Sequence, residues 1–132
     1  MTSLVDVGST IIRARSRWNR TGIVLAPGER YLFTAKGSWV DFFLRHGPAG
    51  DPSQLMYMRL LERYRRMSKT NWFALIGAVD CDLRTAFVIG EASDVSVRVT
   101  GELTCFANDM PCMYWNNWGH VELLAKRYVP AV

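Results

Sequence analysis

Cysteine, histidine and long apolar runs are the scarce features of this sequence. Its three cysteines, Cys81, Cys105 and Cys112, include no pair at C-x-x-C spacing. An odd, scattered set supplies neither a disulfide framework nor a zinc knot. Small packing residues in a reducing compartment are the expectation instead. The two histidines, His46 and His120, belong to no recognisable triad or metal signature. A Cys112 nucleophile served by His46 would lack a third orienting group, so enzymatic activity is not expected. Charged residues interrupt every hydrophobic run before the roughly 18 residues that a membrane-spanning helix needs. Met1 to Thr10 contains Asp6 and no apolar stretch of the roughly 7 to 15 residues found in a secretory signal. The expected location is therefore cytoplasmic, or outside the cell by a route without a cleavable signal.

What is present is enough to build one core. The chain has 132 residues, 49% of them hydrophobic, with five Trp, five Tyr and six Phe. That size and composition fit a single domain and exclude global disorder. The net charge of +4 is concentrated. Between Gln54 and Lys69 stand five basic residues (Arg59, Arg63, Arg65, Arg66, Lys69) and one acid (Glu62), leaving eleven of each sign elsewhere. A smaller cluster comprises Arg13, Arg15, Arg17 and Arg20. The basic balance belongs to a segment, and nucleic-acid binding is not favoured because few aromatics are interleaved with the arginines.

Period-two alternation dominates the rest and points to sheets with one buried face. Val95, Val97 and Val99 alternate with Ser96, Arg98 and Thr100, and Val121, Leu123 and Ala125 with His120, Glu122 and Leu124, while Leu103, Cys105 and Ala107 follow a turn at Gly101-Glu102. Thr21–Leu25 and Tyr31–Ala35 flank the turn sequence Ala26-Pro27-Gly28-Glu29, which predicts a hairpin. Trp72–Val79 and Thr85–Ile89 are continuous apolar runs, expected to be strands buried on both faces. Many short strands with regular turns predict an all-β sandwich. Gln54 to Met67 departs from this pattern: Leu55, Met58 and Leu61 recur at helical spacing, so a short helix or helical loop is expected between strands. Residues 1–17 are expected to fray or to add a strand, and 18–132 to form the single domain.

Polar chemistry is densest from Asn108 to Gly119, where Asp109, Asn116 and Asn117 offer hard oxygen ligands on a Pro-containing loop. Such a set suits calcium, although Asn and Asp in loops are also ordinary turn formers. The sequence Asn108-Asp109, then Tyr114, then Asn116-Asn117-x-Gly119 resembles the calcium and sugar loop of the PA-I-type galactose-binding lectins, a bacterial family with a galactose-binding-like, jelly-roll type β-sandwich. Upstream, in the same order as in that family, come Trp18 with Thr21-Gly22, then Pro27-Gly28, Ala35-Lys36-Gly37-Ser38-Trp39, Gly47-Pro48-Ala49-Gly50-Asp51 and Ala74-Leu75-Ile76-Gly77. The resemblance covers about Trp18 to Val129.

It implies a calcium-dependent carbohydrate-binding protein that works as a homo-oligomer, because single sugar sites are weak. The implied calcium ligands are the side chains of Asp109, Asn116 and Asn117, the carbonyl of Met113, and Asp41 through its carbonyl or carboxylate. Sugar contacts are expected from Asp109, Asn116, Met110, Trp115 and His46, and from Gln54 and Tyr57, which stand where the family has His and Gln. Cys112, Met113, Trp115 and Trp118 replace smaller family residues, so ligand choice is expected to differ, with a galactoside or an acidic glycan as the ligand. The alternative is an assembly or anion-binding module on the same fold that works through basic segment 54–69, with Arg59, Arg63 and Arg66 on one stripe.

Overall fold

Alternating apolar residues fold into two facing antiparallel sheets in the computed structural model, which describes residues 2–52 and 56–130, the side chains at 56 and 57 excepted. The elements are β1 (Thr2–Arg13), β2 (Asn19–Leu25), β3 (Arg30–Asp41), β4 (Leu44–His46), α1 (Met56–Leu60), β5 (Leu75–Val79), β6 (Asp82–Val88), β7 (Ala92–Ser96), β8 (Gly101–Ala107) and β9 (Asn117–Pro130). Single 3₁₀ turns occupy Glu62–Tyr64 and Tyr114–Asn116. One sheet runs β1-β9-β3-β4, with β7 also pairing with β3; the other runs β2-β8-β5-β6. This is the β-sandwich expected from the strand pattern. No helix among the described residues is long and apolar enough to cross a membrane.

The core lies between the sheets. Tyr31, Phe33 and Trp39 from β3 meet Leu75 from β5, Leu103 and Cys105 from β8, and Val121 and Leu123 from β9, all essentially inaccessible. Burial pushes the Cys105 thiol far above its ordinary range, which makes it an inert packing group. The N-terminal segment forms β1 and pairs with β9 from Thr2↔Pro130 to Arg13↔His120 across a bulge between Asp6 and Gly8.

Two local expectations are corrected and a third is made specific. The turn at Ala26–Glu29 does form, with Glu29 N donating to the Ala26 carbonyl and Gly28 at φ 85°. Its flanking strands do not make a hairpin: β2 pairs with β8 and β3 with β9, so the turn crosses from one sheet to the other. Strand β6 is not buried on both faces, because it pairs only with β5 at the sheet edge and leaves Leu83 and Val88 exposed. The short helix or helical loop expected from Gln54 to Met67 is present, although 54 and 55 lie outside the described residues. Helix α1 has five residues, and Arg65 is extended (φ −61°, ψ 148°) after the 3₁₀ turn.

Tertiary contacts explain that stop. The Arg66 guanidinium lies over the Phe106 ring at 3.6 Å, flanked by Trp18 and Tyr114, and donates to the Tyr114 hydroxyl. The Asn108 side chain fastens the residues just beyond Arg66: its amide nitrogen donates to the carbonyls of Met67, Thr70 and Asn71, and its oxygen accepts from Met67 N. Gly50 pins the preceding loop. It adopts φ 70°, and a Cβ there would collide with the Trp72 carbonyl and the Ala74 nitrogen. Replacing Asn108 with Ala therefore strips four hydrogen bonds from segment 67–71. Trypsin is expected to cut at Arg65, Arg66 or Lys69 much faster in Asn108→Ala than in the wild type under native conditions. Equal cleavage rates would show that the amide does not hold the segment.

Candidate functional site

Strand alternation carries polar residues into the end of the sandwich. In β3 the inward positions run Tyr31, Phe33, Trp39 and then Asp41, which is buried. In β9 they run Ala125, Leu123, Val121 and, at the strand's start, the fully buried Asn117. In β8 they run Leu103, Cys105 and Ala107, and two residues beyond the last of these stands Asp109, 2% exposed. Asp41 and Asn117 are direct partners in the β3–β9 register. Phe42 N donates to the Asn116 carbonyl at 2.9 Å, which ties the two loops together.

The polar groups gathered here are only partly satisfied. Asn117 Nδ2 donates to Asp109 Oδ2 and to the Ala14 carbonyl, each at 3.1 Å, and Met110 N donates to Asp109 Oδ1 at 2.7 Å. The side-chain oxygens of Asn116 and Asn117 are buried with no hydrogen-bond partner among the described residues. A buried oxygen left unpaired costs free energy, so each of the two is open to a further hydrogen bond or to a cation. Burial, reinforced by repulsion from Asp41, pushes the Asp109 carboxyl up to about 7, against the pull of its two hydrogen bonds. Asp41 is raised as well by burial, with His46 opposing the shift.

A cavity of about 280 Å³ opens above these groups, lined at its floor by Asp41, Asp109 and Asn116. Met110 and Met113 line it from the same loop, so four of the five expected cation ligands border the cavity and Asn117 is bonded directly behind Asp109. Its other walls are Phe42, Phe43, Met58, Leu61 and Trp72. Sequence reasoning missed these walls, although an adjacent Phe42-Phe43 pair just past a strand was a usable signal. Both rings are mainly exposed, in T-shaped contact at 5.4 Å, and Phe42 holds a left-handed φ of 57°. A non-glycine residue in that region is strained, and strain persists where something else fixes it.

The remaining expected contacts divide. Trp115 is 62% exposed beside Asn116 and free to meet a ligand. Gln54 lies outside the described residues, as does the side chain of Tyr57. His46 is not the surface-loop residue that its position suggests: it closes β4 with its ring buried and stacked on Phe73, and Nδ1 is hydrogen-bonded to the Asp51 carboxylate. The arginine stripe does not survive as a continuous face. Arg59 and Arg63 are exposed, but Arg66 is turned inward onto Phe106, and Arg65 rests over Trp72 with its guanidinium lowered by burial.

The donor set is oxygen throughout, two carboxylates and two amides, and so fits a hard cation. Among the described residues no three His, Cys, Asp or Glu side chains converge, so a transition-metal cluster has no counterpart here.

No family model and no curated protein matches the sequence. Among solved structures the chain is similar to the N-terminal domain of EclA, described as a PllA-like lectin. The TM-score is 0.69 and the identity 20%, over 92% of this chain and 97% of that one. The likeness bears on the fold: both chains share the two-sheet sandwich.

The raised Asp109 pKa sets a pH dependence. Folded protein keeps the Asp109 proton up to about pH 7, whereas the unfolded chain releases it near pH 4. The folded state thus binds more protons between those values, and without a cation its stability falls as pH rises from about 4 through about 7. Urea denaturation in chelator is expected to give a lower midpoint at about pH 8 than at about pH 5, and Asp109→Asn is expected to flatten the difference. A wild-type midpoint that rises over this interval would contradict the assignment.

Proposed function

We propose that this chain is a carbohydrate-binding protein of the galactose-type lectin kind, gripping two neighbouring sugar hydroxyls through a calcium ion. The observation that carries this reading is an open cavity lined by two buried carboxylates, Asp41 and Asp109, and by Asn116, with Asn117 bonded behind Asp109 and both amide oxygens without a hydrogen-bond partner among the described residues. Those four side chains and the Met113 carbonyl would hold the ion. Calcium supplies the positive charge that two desolvated carboxylates call for, together with coordination positions that take hydroxyl oxygens.

The protein's own groups do the rest. Asp109, once ionised, accepts a hydrogen bond from a bound hydroxyl, and the Asn116 amide adds a second polar contact from the floor. The exposed Trp115 indole offers a flat apolar face for the C–H side of a sugar ring. No bond is made or broken. The fold likeness to a domain described as a lectin and the order of the loop motif support the same conclusion.

Calcium that binds only the folded state must raise apparent stability by mass action. A thermal melt at about pH 8 is expected to shift upward in millimolar calcium and to return in chelator. Asp109→Asn, which keeps the shape and the Asn117 contact, is expected to remove the response. Calorimetry with methyl β-galactoside should show binding in calcium and none in chelator. A melt insensitive to calcium, or a calcium shift that survives Asp109→Asn, overturns the reading.

A further inference from the structure

The cavity above Asp41 and Asp109 is chemically divided. Among its ten described lining residues the carboxylates and the amide are Asp41, Asp109 and Asn116, while Phe42, Phe43, Met58, Leu61, Met110 and Met113 make up six of the others. None of the six carries a hydrogen-bonding group stronger than a thioether. Two of them are costly to display: Phe42 holds its left-handed φ, and Phe42 and Phe43 together leave two large rings 61% and 64% exposed. Folding of the core does not need them, since neither joins the buried apolar cluster.

We propose that the site selects a sugar whose body beyond the paired hydroxyls is apolar, namely a 6-deoxyhexose, in which a methyl group replaces the exocyclic hydroxymethyl, over the parent hexose. This inference rests on the carbohydrate reading above. A hydroxyl pair on the floor finds polar partners at Asp41, Asp109 and Asn116. A further hydroxyl pressed against the Phe and Met walls gives up water and gains nothing, because a buried hydroxyl without a partner is penalised. A methyl group at the same place covers aromatic and thioether surface and releases water. Discrimination by an apolar wall against one added hydroxyl is limited, so the expected preference is about ten- to a hundredfold.

The test compares matched pairs that differ at one atom: methyl galactoside with methyl 6-deoxygalactoside, and the gluco and manno pairs alike, titrated calorimetrically into the intact protein in calcium. In the pair that binds, the 6-deoxy member is expected to bind about tenfold tighter or more. Phe43→Gln alters an exposed ring outside the core and should fold normally. It is expected to cut that preference several-fold while leaving the calcium-induced rise in melting temperature intact. A parent hexose that binds as tightly as its 6-deoxy partner, or a preference unmoved by Phe43→Gln, overturns the inference and leaves the carbohydrate reading standing. No binding by either member of any pair, with calcium still raising the melting temperature, sinks the carbohydrate reading and this inference with it.

Discussion

Inward alternation that overruns the apolar core is the constraint on which the rest of this structure depends. A β-strand cannot choose the face of a single residue, because every second side chain points the same way. Strands β3 and β9 continue that rhythm past the last core residue, from Trp39 to Asp41 and from Val121 back to Asn117, and Asp109 stands two residues beyond the end of β8. The polar groups at the end of the sandwich are therefore aimed by the same register that packs Tyr31, Phe33 and Leu123. Moving one of them would mean slipping a strand and turning its entire core face outward. The outcome is a buried pair of carboxylates, Asp109 pushed up to about 7 by burial and by Asp41, with two amide oxygens beside it that have no hydrogen-bond partner among the described residues.

The segment after β4 closes this arrangement from the other side. Asn108 points opposite to its neighbour Asp109, and its four hydrogen bonds secure segment 67–71. Arg66 N also donates to the Asp109 carbonyl, while its guanidinium is sandwiched among Trp18, Phe106 and Tyr114. The positive charge concentrated in this segment thus serves in part as internal packing, a use that the flat aromatic-stacking guanidinium permits. Met58 and Leu61 from the same segment become walls of the cavity. One short insertion accordingly fixes the loop that carries Asp109 and shapes the space above it.

Much of this was legible in the sequence, and the failures have physical causes. Alternation located most strands, and the Asn108 to Gly119 cluster together with Asp41 marked the polar floor. The supposed hairpin around Pro27-Gly28 failed because a turn sequence fixes a local bend, whereas sheet membership of β2 and β3 is decided by distant partners in β8 and β9. The short helix after Gln54 was legible, but not where it stops, because propensity does not register the pull of Phe106 on Arg66. His46 read as a loop residue because its burial comes from Phe73 and Asp51, which no local pattern reveals. The Phe42 and Phe43 walls were overlooked because exposed aromatics carry no periodicity; the adjacent pair was visible in the sequence, but its exposure is displayed only by the folded chain.

The most direct measurement is a crystal structure of the protein grown in calcium, with anomalous scattering collected to locate the ion. The account predicts one strong peak at the cavity floor, about 2.3–2.6 Å from oxygens of Asp109, Asn116 and Asn117. A floor without a peak, in which Asp41 and Asp109 share a proton and the two amide oxygens are paired to water, would contradict it.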